Sequence, residues 1–224
     1  MLGLSVDWDF WFREEPEWDL GHEETKLFQA SAVWMTRAHL RQEYVPKPEY
    51  RKFWKQLEET GIRFGGKPLA VAGESHAYAY GWLAECGEII HFDAHHDMGY
   101  NEKALDENHV AYCDDWLYKL AVANPLLKVR LVWPDWVPEY KESLLRASWL
   151  KPLKDRLTVT PWSAFQSLRE KAVVRRLYIA HSGAWTPPWA DEQFLEFCQV
   201  CPAKVTGYIS ASFHPRKWPK RWPV

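Results

Sequence analysis

The chain has 224 residues, 47% hydrophobic and 26% charged, with a formal net charge of −2 at pH 7. That length suits one substantial core, so a single domain over residues 1–224 is expected, and the charge balance gives no general pull toward nucleic acid or an anionic membrane. No run approaches the roughly 20 apolar residues of a membrane span, and four cysteines with no secretory or transit pattern at the N-terminus point to the cytoplasm.

Taken in chain order, the elements alternate. A strand over Gly3–Asp7 is followed by helix-like segments Glu23–Arg41 and Tyr50–Glu59, with Pro46 and Pro48 in the loop between them. Then come strand Leu69–Ala72, helix Ser75–Ala84, strand Glu88–Asp93, helix Asp114–Ala123 and strand Val129–Trp133. Helix Pro138–Ser148, strand Leu157–Val159, helix Pro161–Lys171, strand Leu177–His181, helix Ala190–Phe197 and strand Val205–Ile209 complete the series. Such alternation predicts an α/β fold, a mostly parallel sheet with helices on both faces. In sheets of that kind the carboxyl ends of the strands converge on the site.

Three of those ends carry acids and imidazoles. Ile89-Ile90-His91-Phe92-Asp93-Ala94-His95-His96-Asp97 runs from an apolar strand into Asp-x-His-x-Asp. Alternation puts Asp93, His95 and Asp97 on one face if the extended geometry persists. Such groups are costly to keep at a buried strand end unless a cation lies between them, and carboxylates mixed with imidazole suit manganese, iron or zinc. The competing reading is a solvated acidic turn. A second cluster, Asp7 and Asp9, is flanked by Leu4, Val6, Trp8, Phe10 and Trp11, which are not the neighbours of an exposed turn. A third strand opens through Gly73 into Glu74-Ser75-His76. Asp7, Asp9, His76, Asp93, His95 and Asp97 are more ligands than one open catalytic ion needs, and they fit a pair of ions sharing a water or hydroxide.

Asp93-Ala94-His95-His96-Asp97 resembles the Asp-Ala-His-x-Asp signature of the arginase and agmatinase (ureohydrolase) superfamily, and Ser5-Val6-Asp7-Trp8-Asp9 resembles its Ser-x-Asp-x-Asp signature. Gly73-Glu74-Ser75-His76 is similar to its Gly-Gly-Asp-His element. The resemblance implies a three-layer α/β/α fold and a binuclear manganese (Mn2+) centre. Asp7 and Asp93 would bridge the ions, with His76 and Asp97 completing one shell and His95 and Asp9 the other. It also implies that His109, in the loop beyond Asp97, shuttles protons.

The chain departs from the family pattern as well. The Ser-x-Asp-x-Asp strand comes first rather than late, so the motif order is permuted, and Ser75 stands where the family has an Asp before its first metal histidine. The second-sphere support of His76 must therefore differ. The compact, permuted pattern resembles the peptide arginases that act on ribosomally made precursor peptides. It implies hydrolysis of peptide arginine to ornithine and urea by hydroxide formed between the ions, with His109 supplying the proton for the leaving amine. A cationic guanidinium needs a carboxylate clamp, and Glu74, beside His76, is the candidate. His181 and Ser182 also line up with the cleft, without an assigned role.

The alternatives are a ureohydrolase of free arginine or agmatine, a single-zinc deacetylase of acetylated amines, and a non-catalytic metal- or peptide-binding module. Fifteen Trp are unusual. Most should fill the core and brace Pro-rich loops, while Trp185, Trp189 and the basic tail His214–Trp222 offer a surface for an extended Arg-containing peptide. Cys198-Gln199-Val200-Cys201 resembles half a zinc ribbon or a redox motif, but the further ligands a zinc site needs are missing and the pair follows a helix rather than opening one. The sequence leaves homo-oligomerisation open.

Overall fold

The computed structural model describes residues 1–13, 34–37, 43–99, 110–137, 147–209, 213–216 and 218. Seven strands form one sheet: β1 (Leu2–Asp7), β2 (Ile62–Gly73), β3 (Glu88–Phe92), β4 (Lys128–Trp133), β5 (Leu157–Pro161), β6 (Ala172–Ala180) and β7 (Val205–Ile209). Their order is β5-β4-β3-β1-β6-β2-β7 and every pairing is parallel. The α-helices bounded within the described residues are α1 (Phe53–Glu59), α2 (Ala79–Trp82), α3 (Trp116–Ala123), α4 (Trp162–Gln166) and α5 (Asp191–Gln199).

A parallel sheet must be covered on both faces, and two separate cores do this. Leu4, Val6, Phe92 and Ile179 pack with Phe53 of α1, Phe165 of α4 and Phe197 of α5. On the opposite face Ile89, Leu131 and Tyr178 pack with Ala79 of α2 and with Trp116 and Leu120 of α3. The result is the expected three-layer α/β/α arrangement. The first core is largely aromatic, with Trp54 stacked on Phe197 at 4.8 Å between centroids. Trp8, Trp11, Trp34, Trp54, Trp116, Trp133 and Trp162 are buried, in line with a mainly structural use of this residue.

All seven strands lie where alternation places them, but several bounds move. β2 and β6 begin earlier than expected, because Gly65-Gly66-Lys67-Pro68 is an irregularity inside β2, where register shifts between Phe64 and Leu69, rather than a break before it. The helix expected over Ser75–Ala84 contracts to a 3-10 turn, His76–Tyr78, followed by α2. Pro161 ends β5 instead of opening a helix, leaving α4 with five residues. The helices expected over Glu23–Arg41 and Pro138–Ser148 fall mostly outside the described residues. No described helix is long and apolar enough to cross a membrane.

The topology fixes where a site can form. From β1 the chain runs to β2 on one side, whereas from β3 it runs to β4 on the other. The connections diverge above two neighbouring strands and leave a crevice at the carboxyl ends of β1 and β3. Asp7 ends β1, and Asp93 directly follows β3.

Candidate metal centre

Asp7 and His91 lie within strands, and the other candidate ligands are delivered by local departures from regular structure. After Asp7 the chain tightens into a 3-10 turn, Trp8–Trp11, and Asp7 Oδ1 accepts the Asp9 N–H at 3.0 Å. Ser75 caps the turn after β2 by accepting the Ala77 N–H at 3.0 Å, which leaves His76 buried at its first position. Beyond Phe92 the extended geometry does not persist, so Asp93, His95 and Asp97 do not meet by strand alternation. A turn gathers them instead: the His95 N–H donates to Asp93 Oδ1 at 2.7 Å, and Asp97 adopts a left-handed φ of +50°. Asp is among the few residues that tolerate that conformation. The Asp97 carbonyl accepts the Leu117 and Tyr118 N–H groups in the first turn of α3, at 3.1 and 3.3 Å, and Trp116 Nε1 donates to its Oδ2 at 2.5 Å.

The turn produces two ligand groups. His76, His91, Asp93 and Asp97 form one, and Asp9, Asp93 and His95 form the other, the chosen ligand atoms of each lying within 4.8 Å of one another. The grouping of His76 with Asp97, and of His95 with Asp9, is the one expected. In the first group His76 Nδ1 lies 3.2 Å from Asp93 Oδ2 and 3.1 Å from Asp97 Oδ2, and His91 Nε2 lies 3.1 Å from Asp93 Oδ2. In the second, His95 Nδ1 lies 2.9 Å from Asp9 Oδ2 and 3.4 Å from Asp93 Oδ1. Asp7 belongs to neither group by this distance, yet its Oδ2 sits 2.9 Å from His76 Nδ1 and accepts the Ser182 hydroxyl at 2.7 Å.

His91 is the ligand that sequence reasoning passed over. It read as part of an apolar strand, although a position two residues before Asp93 shares its face by alternation. His76 gains the support that its preceding serine cannot give, because Ser5 Oγ lies 2.7 Å from its Nε2. A proton on Nε2 shared with that hydroxyl turns the Nδ1 lone pair toward the carboxylates, as metal ligation requires.

The donor set fits a cation. Asp9 Oδ1 and Oδ2, His76 Nδ1, His91 Nε2 and Asp93 Oδ2 are buried without a directed hydrogen bond. Buried polar atoms are rarely left so, and here they face one another. Protonation reflects the crowding. Burial, then the charges of Asp7 and Asp93, push Asp9 well above the usual carboxylate range, and burial with the Asp93 charge raises Asp97. Burial also works against an ionised Asp93, but contacts with His76, His91 and His95 outweigh it and hold Asp93 well below that range. For His76, burial is outweighed by the carboxylates of Asp7 and Asp97, and its pKa rises. His96 stands apart: burial and the neighbouring His95 push it down to about 3, and its Nδ1 accepts the Met98 N–H.

Exposure is uneven across the cluster. The His95 side chain is 18% exposed, against 6% or less for the other ligands. Half-buried Trp185 lies beside it, with ring centroids 5.3 Å apart.

Glu74 is placed differently from the ligands. Its Oε2 accepts from His181 Nδ1 and Tyr208 OH, both at 2.9 Å, and its Oε1 accepts the Gly183 N–H at 3.0 Å. Burial is outweighed by these contacts, above all His181, and its pKa is lowered. His109 lies outside the described residues. Cys198 and Cys201 are free thiols, both raised by burial and Cys201 to about 12, so they present no thiolate at neutral pH.

Comparison with known proteins adds no relative. No family model, no curated protein and no solved structure matches the chain. The case for a metal centre stands on the geometry.

Proposed function

We propose that this chain is a binuclear manganese-dependent hydrolase that converts arginine side chains of a precursor peptide to ornithine with release of urea. One observation carries the reading: the two oxygens of Asp93 face different ligand groups, Oδ2 toward His76 and His91 and Oδ1 toward His95. A carboxylate divided in this way is the bridge a two-ion centre needs. The likeness of Asp93–Asp97 and Ser5–Asp9 to the ureohydrolase signatures supplies the reaction class.

In this reading His76, His91 and Asp97 hold one ion and Asp9 and His95 the other, with Asp93 shared and Asp7 beside His76. The pair of cations, when bound, supplies Lewis acidity and brings the pKa of water near neutrality. The remaining tasks belong to the protein. Ser5 keeps the His76 Nδ1 lone pair aimed into the cluster. Glu74 is held anionic at the end of β2, and its Oε1, with one donor from Gly183, keeps a lone pair for a guanidinium N–H. His109 is assigned the proton for the leaving amine. Because His95 is the most exposed ligand, substrate enters on its side, where the Trp185 ring offers a face to a cationic side chain.

The test is urea release by Mn2+-loaded protein from an Arg-containing peptide and from free arginine, with ornithine followed by mass spectrometry. The peptide is expected to show the higher kcat/KM. Preference for the free amino acid overturns the peptide assignment alone, and no urea from either substrate overturns the ureohydrolase reading.

A further inference from the structure

Ser182 is held in an unfavourable backbone state. Its φ is +50°, in the left-handed region that only glycine enters freely. Such residues persist where their surroundings over-determine them, and they gather at functional sites.

The surroundings here form a strap. The Ser182 N–H donates to the Glu74 carbonyl at 2.9 Å, and the Ser182 carbonyl accepts the Trp185 and Thr186 N–H groups at 2.8 and 2.9 Å. Next to it the Gly183 carbonyl accepts Trp34 Nε1 at 3.1 Å and Arg216 Nη1 at 2.7 Å. Arg216 is itself locked: Nε and Nη2 donate to the two oxygens of Asp191 at 2.9 and 2.6 Å, and Nη2 also donates to the Thr186 carbonyl at 2.9 Å. A Cβ at Gly183 would lie 2.1 Å from Glu74 Oε1, so any side chain there would displace the Glu74 carboxylate.

The tightness has an output. The Ser182 hydroxyl donates to Asp7 Oδ2 at 2.7 Å, the same oxygen that lies 2.9 Å from His76 Nδ1. The Asp9 N–H takes Oδ1. Rotation about the bond to a carboxylate is broad and two-fold, so two donors, one on each oxygen, fix which lone pair of Asp7 faces the cluster. We propose that Ser182 is a positioning residue of the metal centre, forced into its left-handed conformation by the strap from Arg216 through Gly183 so that its hydroxyl orients the Asp7 carboxylate toward the ion. This rests on the metal-centre reading above.

Glycine at position 182 relieves the backbone conformation and removes the hydroxyl, whereas alanine removes the hydroxyl and keeps the strain. Ser182→Gly, Ser182→Ala and Arg216→Gln are compared with wild type by titration with Mn2+, followed by the electron paramagnetic resonance of the free ion, and by thermal unfolding of the metal-free proteins. Loss of an outer hydrogen bond to a ligand weakens metal binding by about 10- to 100-fold. The affinity of one of the two ions should fall by about that much, equally in Ser182→Gly and Ser182→Ala, while the glycine variant melts higher than the alanine variant. Arg216→Gln should weaken the same ion. Affinity that follows melting temperature across the two Ser182 variants, or Ser182→Gly binding as wild type does, overturns the proposal and leaves the metal centre intact. Wild type that binds no Mn2+ overturns the metal-centre reading and this inference with it.

Discussion

Two buried charged clusters lie at the carboxyl ends of this sheet, and they are built on opposite terms. Around β6 and α5, Glu74, His181, Asp191 and Arg216 alternate in sign. His181 Nδ1 meets Glu74 Oε2 at 2.9 Å, His181 Nε2 meets Asp191 Oδ1 at 3.1 Å, and Arg216 pairs with both Asp191 oxygens. Burial disfavours the charge on His181, but bonds to Asp191 and Glu74 outweigh it and raise its pKa; with His181 protonated, the four groups sum to neutrality. Around β1 and β3, four aspartates crowd three imidazoles and several polar atoms have no directed partner. A network closed within the protein is a brace. A buried network left open in this way is one that a cation would complete.

Asp93→Ala should have the largest effect, because it removes the one residue common to both ligand groups. Both ions should be lost and urea release abolished, while the brace stays intact. Metal analysis that still finds two tightly held ions would refute the bridging role. Asp191→Asn is the reciprocal change. It strands the Arg216 guanidinium and the His181 imidazole in the interior, and breaking a buried pair from one side costs about 3 kcal/mol or more. Chemical denaturation of the metal-free protein should show that loss. A change near zero would make the brace dispensable.

The smallest effect is a pH dependence belonging to the brace alone. Burial is outweighed by Arg216 and His181 at Asp191, and by His181 at Glu74, so both acids titrate below their usual range. Their contribution is present above the unfolded-state values of about 4 and is lost as pH falls through the folded values. His181 has the reverse sign: its contribution is complete below about pH 6.5 and is lost as pH rises through the raised folded value. The gap in melting temperature between wild type and Asp191→Asn, both metal-free, should therefore be widest from roughly pH 4.5 to 6.5 and narrow on either side. A gap independent of pH would mean that the network acts by packing.

The two clusters also differ in how far sequence reveals them. The acid–imidazole cluster was legible because such residue types at strand ends are restricted by chemistry, so Asp9, His76, Asp93, His95 and Asp97, which the structure gathers, could be named before any geometry, with Asp7 beside them. The strands were legible from apolar runs. What escaped was anything settled by contacts between distant segments. His91 looked like one more strand residue until Trp116 and His76 packed around it, at 5.4 and 4.9 Å between ring centroids. Ser5 looked like motif filler until it met His76, and Arg216 belonged to a basic tail whose partner, Asp191, lies in another element. Helix ends were misplaced where a local break, such as the cap at Ser75, overrides propensity.

The central place of β1 has a consequence for how the molecule assembles. Val6 pairs with Phe92 on one side and with Ile179 on the other, so Asp7 is enclosed by strands far away in sequence. Contacts of such long range form slowly, since chain entropy is lost before they repay it. Pairing β6 with β1 and setting Ser182 on Asp7 are among the contacts that bring these aspartates together from distant segments and concentrate their negative charge. In the metal-centre reading, a divalent cation would bind the folded form and draw the equilibrium toward it, so metal supply would set how much of this chain is folded as well as how much of it can act.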